Sequence, residues 1–314
     1  MPFISVFIPA YKNVHFLERL MRSILEQTYV DYEVIITDDS PDESVKKLVN
    51  SYLLENDHWH YYRNEPSLGM PQNWNYGLSL CKGDWIKIMH DDDWFSSNTS
   101  LYSFAIAAKI SNYGFIFSAY SNIFANGNSV EIVASNYRKK LLKKEPLSLL
   151  SDNVVGPPSV TMVRNSIHEL YDERLKWRVD IDYYIRVLNM SGDFTFIPEP
   201  LINVGIGAEQ VTNEVKYNKN IELPEALIIL EKYGTQSLKN IVIYDSWWRF
   251  VRNLKITDLS MLAQYTFSKN SWPIIIQCIV KDVNQLPMNL RSIGIFSKVA
   301  MLFSFLKNYN RIDA

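Results

Sequence analysis

Residues 3–27, FISVFIPAYKNVHFLERLMRSILEQ, decide the fold class, because two hydrophobic patterns follow one another in them. Residues 3–11 are almost continuously apolar, as in a strand that is buried on both faces of a parallel sheet. Residues 14–27 place apolar side chains on one face of a helix, namely Leu17, Leu20, Met21 and Ile24. A buried strand followed by an amphipathic helix predicts a βα unit.

The same alternation continues through the first third of the chain. Strands are predicted at 31–40, 58–65 and 84–89, with helices between them at 43–56 and 71–83. This spacing is typical of βαβ units and a mostly parallel sheet flanked by helices. Ligands of such sheets bind beyond the carboxyl ends of the strands. We therefore expect an α/β fold with its site at that edge.

Two acidic clusters follow strands of this sheet, Asp38-Asp39 and Asp91-Asp92-Asp93. Adjacent carboxylates repel one another, and a divalent cation such as Mg²⁺ or Mn²⁺ would neutralise them and bridge them to a diphosphate. The alternative for the triplet is a helix N-cap, although one Asp is enough for a cap. The alternative for Asp38-Asp39 is turn and capping chemistry in the following Ser-Pro-Asp-Glu-Ser.

A third feature is residues 174–187, RLKWRVDIDYYIRV. Asp180 and Asp182 are two positions apart and would point in different directions on a helix. In the first turn, Asp180 could face a cleft and act as general base toward a substrate hydroxyl, while Asp182 braces the backbone. Alternatively, Asp180 caps the helix and Asp182 pairs with Arg178 or Arg186. The residues alone leave both interpretations open.

The middle and the end of the chain carry further signals. Residues 113–133 predict a hairpin around Asn126-Gly127. Composition becomes helix-forming and aromatic-rich beyond a boundary near 205–220. The last segment, 291–311, has a wide apolar face with Lys298 in it and basic residues at its edges. It is either a helix packed on protein or an interfacial helix on a membrane that bears anionic lipids.

Composition narrows the class of protein. The chain has 314 residues and a formal charge of -2, which argues against a nucleic-acid-binding protein. Cys81 and Cys278 have no disulfide or zinc spacing, and the N-terminus resembles a strand rather than a signal peptide. No apolar run reaches the roughly 20 residues that span a bilayer. We expect a cytoplasmic protein, either free or resting on the inner face of the cell membrane.

Together the motifs resemble glycosyltransferase family 2, whose fold is called GT-A, over residues 3–212. SVFIPAYKN is similar to the family's first strand, and EVIITDDSPDES to its Val-Asp-Asp-Gly-Ser-Thr-Asp segment. IKIMHDDDW resembles the metal motif Leu-Asp-x-Asp-Asp-Trp. VDIDYYIRV resembles the Glu-Asp-x₅-Arg helix that carries the catalytic base, and FIPEPLINV the Pro-Glu-Pro-Leu segment. The order and spacing of the five motifs are those of the family.

The resemblance implies a role for each matching residue. Asp92 would bind the metal, and Asp180, six residues before Arg186, would be the catalytic base. His90 stands where the family's first Asp usually stands. Pro9, Ala10 and Tyr11 would support the nucleotide base, and Asp39 would bind the uracil or ribose. Asp91 would face the ribose, and Asp93 would support the metal site. Asn73 would also belong to the donor site.

The sequence departs from the family pattern at several of these motifs. Val179 replaces the usual Glu, and Gln72 replaces an Arg that often precedes Asn73. Gly205 and Gly207 stand where the Arg and His of Tyr-Arg-x-His often contact phosphate or metal. Charge neutralisation of the diphosphate would then depend on the metal, or on Arg or Lys from elsewhere.

The resemblance implies an inverting transfer from a nucleotide-sugar, UDP-linked, to a glycan or polyprenyl-linked acceptor in cell-surface polysaccharide biosynthesis. Residues 1–212 would be the catalytic domain, with a donor half at 1–96, an acceptor half at 97–212, and a helical region at 213–314. A catalytically silent nucleotide-sugar-binding or scaffolding subunit is the alternative. A sugar nucleotidyltransferase would need a Gly-rich basic loop after the first strand, which PAYKNVHF lacks. An oligomer is compatible with the sequence.

Overall fold

The computed structural model describes residues 1–207, 215, 217–265 and 272–312. The chain divides into two compact units. The first contains Met1–Pro146, Val154–Glu173 and Val179–Gln210, and the second contains Leu147–Asn153, Arg174–Arg178 and Val211–Ala314.

The first unit is built on one sheet, to which nine strands belong within the described ranges. They are β1 (Ile4–Ala10), β2 (Tyr32–Asp38), β3 (Trp59–Arg63), β4 (Trp85–Ile88), β5 (Trp94–Phe95), β6 (Phe115–Phe124), β7 (Ser129–Ile132), β8 (Thr161–Arg164) and β9 (Thr195–Ile206). Its helices are α1 (Val14–Leu25), α2 (Ser44–Leu53), α3 (Gln72–Leu80), α4 (Ser100–Ile110), α5 (Asn136–Lys144) and α6 (Val179–Ser191).

The strand order is β3-β2-β1-β4-β8-β6-β9-β5, with β7 paired to β6. The first four strands are parallel, as the βαβ pattern predicts. Beyond β4 the sheet is mixed: β8 is antiparallel to β4 and to β6, β9 is parallel to β6, and β5 is antiparallel to β9. The antiparallel pair β6–β7 is the hairpin expected around Asn126-Gly127.

The first βα unit forms as its sequence predicts. Every residue of β1 is buried, and α1 buries the apolar face that begins at Leu17. The side chain of Asn13 caps α1 by accepting a hydrogen bond from the backbone of Phe16. In the sheet register, Ala10 lies opposite Asp38 and Phe7 lies opposite Ile88. The acids that follow β2 and β4 therefore lie at one edge of the sheet.

The second unit is helical in its described part, as expected for the end of the chain. Its helices are α7 (Lys219–Tyr233), α8 (Ile241–Asn253), α9 (Leu259–Ala263), α10 (Ile274–Gln285), α11 (Met288–Arg291) and α12 (Gly294–Asn308). Helix α10 packs against α8 and α12. Among the residues described, no helix combines the length and apolar character that crossing a bilayer would require.

Candidate active site

The turn after β4, residues 90–93, brings three potential metal ligands together. Atoms of His90, Asp92 and Asp93 that can bind a metal all lie within 4.8 Å of one another. The Nε2 atom of His90 is buried and has no hydrogen-bond partner among the described residues. Two carboxylates and an imidazole form a donor set that Mn²⁺ accepts. The turn therefore fits a divalent cation, and the sequence had assigned His90 no ligand role.

The electrostatics of this turn reflect the burial and mutual repulsion of its carboxylates. Burial, reinforced by the charge of Asp92, raises the pKa of Asp91 to about 7 and that of Asp93 to about 8. Burial also lowers the pKa of His90, which favours the neutral imidazole that binds metals. A cation at this position would reverse the effect on the carboxylates.

Two residues hold the turn from within the protein. The Oγ of Ser159, a fully buried residue, accepts a hydrogen bond from the backbone N–H of His90 (2.9 Å) and donates one to the Asp93 carboxylate. The ammonium of Lys87, whose pKa is lowered by burial, donates to the carbonyl oxygens of Ser159 and of Ile88. These contacts fix the turn at residues 90–93 to the segment before β8.

A cation from α1 contacts the same turn. One terminal nitrogen of Arg19 donates to the backbone oxygen of Asp92 (2.7 Å), and its guanidinium lies 3.5 Å from the centre of the Trp94 ring. The contact joins residues 73 positions apart, and no feature of the α1 sequence distinguishes Arg19 from a surface arginine. This residue could therefore be found only from the structure.

Position 205, where the family often has an Arg, must be a glycine in this chain, because β9 packs closely against the turn at residues 90–93. Its backbone N–H donates to Oδ1 of Asp93 (3.1 Å). A Cβ atom at this position would lie 2.5 Å from the backbone oxygen of Asp92, whereas one at Gly207 would meet nothing within 4 Å. Any residue other than glycine at 205 would displace β9 from the turn.

Asp39, which the sequence predicts to lie at the nucleotide-sugar, is buried. Its carboxylate accepts hydrogen bonds from Asn64 Nδ2, Ser67 Oγ, and the backbone N–H groups of Leu68 and Gly69, at 2.7–3.0 Å. Burial acts to raise the pKa of Asp39, but these four bonds outweigh it and hold the pKa below its usual value. A carboxylate has about four acceptor positions, so Asp39 fixes the 64–69 loop with all of them.

The other predicted donor residues line the same edge. The backbone N–H of Tyr11, after Pro9 and Ala10, lies 3.4 Å from Oδ2 of Asp91. The buried Asn73 donates to the carbonyl of Thr37 and accepts from Asn64. The ends of β1 and β4 and the start of α3 thus lie at one edge, as expected from parallel strands.

The helix that carries the predicted base begins at Val179. Asp180 lies in its first turn, half-buried, and its Oδ1 accepts from the backbone N–H of Ile181 (2.8 Å). Asp182 is fully buried and pairs with Nε of Arg186 (2.9 Å), one of the two partners that the sequence proposed. The two acids therefore have different partners, and the pair of Asp182 with Arg186 lies within the helix.

The aromatic ring of Trp74 contacts the turn at residues 90–93. The Trp74 ring packs against His90 (4.8 Å) and against Tyr171 (5.0 Å between ring centres). Burial, with smaller contributions from Tyr183 and Asp180, raises the pKa of Tyr171. Tyr171 thus contacts the Trp74 ring, which in turn packs against His90.

Comparisons with known proteins show the family to which the chain is related. The family model described as glycosyl transferase family 2 matches residues 5–170, more than half of the chain. The match includes the residues after β1, β2 and β4 and ends before Asp180. The chain is 24% identical to an uncharacterized glycosyltransferase of Rickettsia typhi, over 98% of this chain and 96% of that protein.

Two relatives have more informative names. The chain is 23% identical to the putative colanic acid biosynthesis glycosyl transferase WcaA of Escherichia coli K12, over 68% of this chain and 77% of WcaA. A shorter match, 31% identical over 30% of each chain, is to the GalNAc(5)-diNAcBac-PP-undecaprenol beta-1,3-glucosyltransferase of Campylobacter jejuni.

Solved structures share the fold and thereby confirm the expected GT-A class. S. aureus TarS in complex with UDP-GlcNAc aligns with a TM-score of 0.57 at 14% identity, over 99% of this chain and 92% of that one. The mannosyltransferase PcManGT from Pyrobaculum calidifontis, in complex with GDP-Man and Mn²⁺, aligns with a TM-score of 0.53 at 10% identity, over 98% and 75%. Given this fold and the family match, the chain belongs to glycosyl transferase family 2.

Proposed function

We propose that the protein is a metal-dependent, inverting glycosyltransferase that takes a sugar from a UDP-linked donor. The observation that supports this most directly is the cluster of His90, Asp92 and Asp93 at the carboxyl edge of the sheet. The UDP-GlcNAc and GDP-Man–Mn²⁺ complexes of two proteins of the same fold support a nucleotide-sugar and a divalent cation as its ligands.

The donor would lie along the edge formed by the ends of β1, β2 and β4. In this proposal Pro9, Ala10 and Tyr11 support the nucleotide base, and Asn73 and Asp91 complete the donor site. Asp39 contributes by holding the 64–69 loop, and its contact with uracil or ribose would replace one of its present hydrogen bonds. Asp92, with His90 and Asp93, would hold Mn²⁺ or Mg²⁺, which when bound stabilises the charge of the departing diphosphate.

The transfer requires a base for the acceptor hydroxyl, and the acceptor must lie on the opposite face of the sugar from the diphosphate. Asp180 would accept the proton of an acceptor hydroxyl as its oxygen bonds to the anomeric carbon and the bond to the diphosphate breaks. Attack and departure on opposite faces invert the configuration. Asp182 would hold α6 in place through Arg186. Residues 1–96 would bind the donor and 97–212 the acceptor, with 213–314 as a helical region.

The acceptor class follows from the relatives' names. One relative is named for colanic acid biosynthesis and another acts on an undecaprenol-linked glycan. We propose a glycan or lipid-linked acceptor in cell-surface polysaccharide biosynthesis. The two free, buried cysteines support a cytoplasmic location.

A panel of UDP- and GDP-sugars tests the proposal, with release of free nucleotide measured in Mn²⁺. We expect one donor to be turned over by the wild type and by Asp57→Asn, a control at an exposed acid, but not by Asp180→Asn. A protein that binds a donor without releasing nucleotide, with or without lipid-linked acceptors, would instead be the silent binding subunit that the sequence also allows.

A further inference from the structure

Helix α12 turns its polar side inward. Its buried residues are Ser297, Met301, Ser304 and Asn308, three of them polar and at most 3% exposed. Its outward face is apolar: Ile295 is 70% exposed, Phe303 68% and Leu306 63%, and the rest of that face is Phe296, Val299 and Leu302. This orientation is the reverse of an ordinary amphipathic helix on a protein surface.

Hydrogen bonds within the second unit fix this orientation. The indole N–H of Trp248 and a guanidinium N–H of Arg252 both donate to Ser297 Oγ (3.0 Å each). At the other end of the helix, the buried carboxylate of Asp282 accepts from Ser304 Oγ and Asn308 Nδ2 (2.7 Å each). Rotating α12 to bury its apolar face would leave these buried polar groups unpaired, which is costly.

The segment that contains this face has a net positive charge. Residues 281–311 contain five basic residues and one acid, giving +4 in a chain whose net charge is -2. The acid is Asp282, which is buried and paired with Lys307 (2.8 Å). At 100° per residue, Lys298 and Lys307 lie roughly 90° to either side of the apolar face. The face is therefore apolar at its centre, with Lys298 at one flank and the Lys307–Asp282 ion pair at the other.

We infer that the outward face of α12 lies in the interface of a lipid bilayer that contains anionic lipids. A helix of 15 residues is about 22 Å long, too short to span a bilayer but suited to lying in its surface. The apolar side chains enter the acyl boundary, and Lys298 reaches the anionic headgroups.

A second copy of the chain fits this face less well. A two-fold dimer would place the same face of both copies together. The net positive charge of residues 281–311 would then be repeated on both sides of the interface, because the one acid of this segment, Asp282, is already paired with Lys307. Like charges across an interface oppose association. Anionic headgroups supply the complementary charge.

Flotation of the full chain with vesicles tests this inference. One set of vesicles contains phosphatidylglycerol in phosphatidylcholine, and the other contains phosphatidylcholine alone. We expect wild type to float with the first set, less so as NaCl is raised. The double variant Phe303→Ser/Leu306→Ser should bind these vesicles about tenfold or more weakly, because it removes two exposed apolar side chains from the face.

Two further variants test whether binding depends specifically on this face and on its charge. The double variant Val30→Ser/Ile110→Ser changes exposed apolar residues of the first unit and should float as wild type does. Lys298→Gln should weaken binding to the anionic vesicles alone. Equal flotation of wild type and the Phe303/Leu306 variant would overturn the inference. So would a wild-type dimer that this variant converts to a monomer in analytical ultracentrifugation, since a second copy would then cover the face.

Discussion

Arg19 contacts the backbone of the turn at residues 90–93, which is the proposed metal site. It combines a hydrogen bond to the Asp92 carbonyl with stacking on Trp94. A lysine cannot make both contacts, because only a planar guanidinium stacks and donates in the same plane. Arg19 therefore orients Asp92, the proposed metal ligand, without binding the metal itself.

Arg19→Lys should therefore weaken Mn²⁺ binding. Loss of a group that orients a ligand typically costs on the order of 10–100-fold in metal affinity. The measurement is a Mn²⁺ titration followed by electron paramagnetic resonance. Arg22→Lys is the matched control on the same helix, since Arg22 is exposed and pairs with Glu18. Equal Mn²⁺ affinity of Arg19→Lys and wild type would remove Arg19 from the site.

The close packing at Gly205 can be tested by adding a methyl group there. In Gly205→Ala the new methyl group would meet the Asp92 backbone at 2.5 Å, so β9 or the turn must shift. We expect a lower melting temperature and weaker Mn²⁺ binding. Gly207→Ala, with nothing within 4 Å of the new methyl group, should match wild type in both measurements. Identical behaviour of the two variants would show that the close approach at 205 is not needed.

Helix α6 contains the proposed catalytic base, Asp180, on which the proposed transfer depends. Asp180→Asn should leave the melting temperature and UDP affinity unchanged and reduce transfer by on the order of 10²–10⁴. Asp182→Asn should lower the melting temperature first, because it breaks the buried pair with Arg186. An inactive but stable Asp182→Asn beside an active Asp180→Asn would identify Asp182 as the base.

Elements whose pattern is local could be predicted from the sequence. The strand at β1, the helix α1 and the hairpin at Asn126-Gly127 all depend on residues that are close in the chain, and all three form. Contacts over long separations could not be predicted this way. The bond from Arg19 to Asp92 and that from Gly205 to Asp93 join elements 73 and 112 residues apart, and no periodicity encodes them.

The orientation of helix α12 also could not be predicted from the sequence. Its two faces are evident in the sequence, and the usual rule would bury the apolar one. The polar face is buried instead, because Trp248, Arg252 and Asp282 offer it partners from α8 and α10. Which face turns inward thus depended on the neighbouring helices.

At the scale of the whole molecule, the sheet order determines the site. Because β1 lies between β2 and β4, the acids that follow β2 and β4 end on either side of the β1 terminus. The mixed half of the sheet then brings β9 against the turn after β4. A nucleotide diphosphate placed along this edge would meet carboxylates, and a divalent cation is what would reverse their repulsion.

The UDP affinity of wild type, measured by calorimetry in Mn²⁺ and again in excess EDTA, tests this claim most directly. We expect UDP to bind at least about tenfold more tightly with Mn²⁺, a difference of about 1.4 kcal/mol. Asp92→Asn should lose that gain, and Asp57→Asn, at an exposed acid, should keep it. Equal UDP affinity of the wild type in Mn²⁺ and in EDTA would contradict the account.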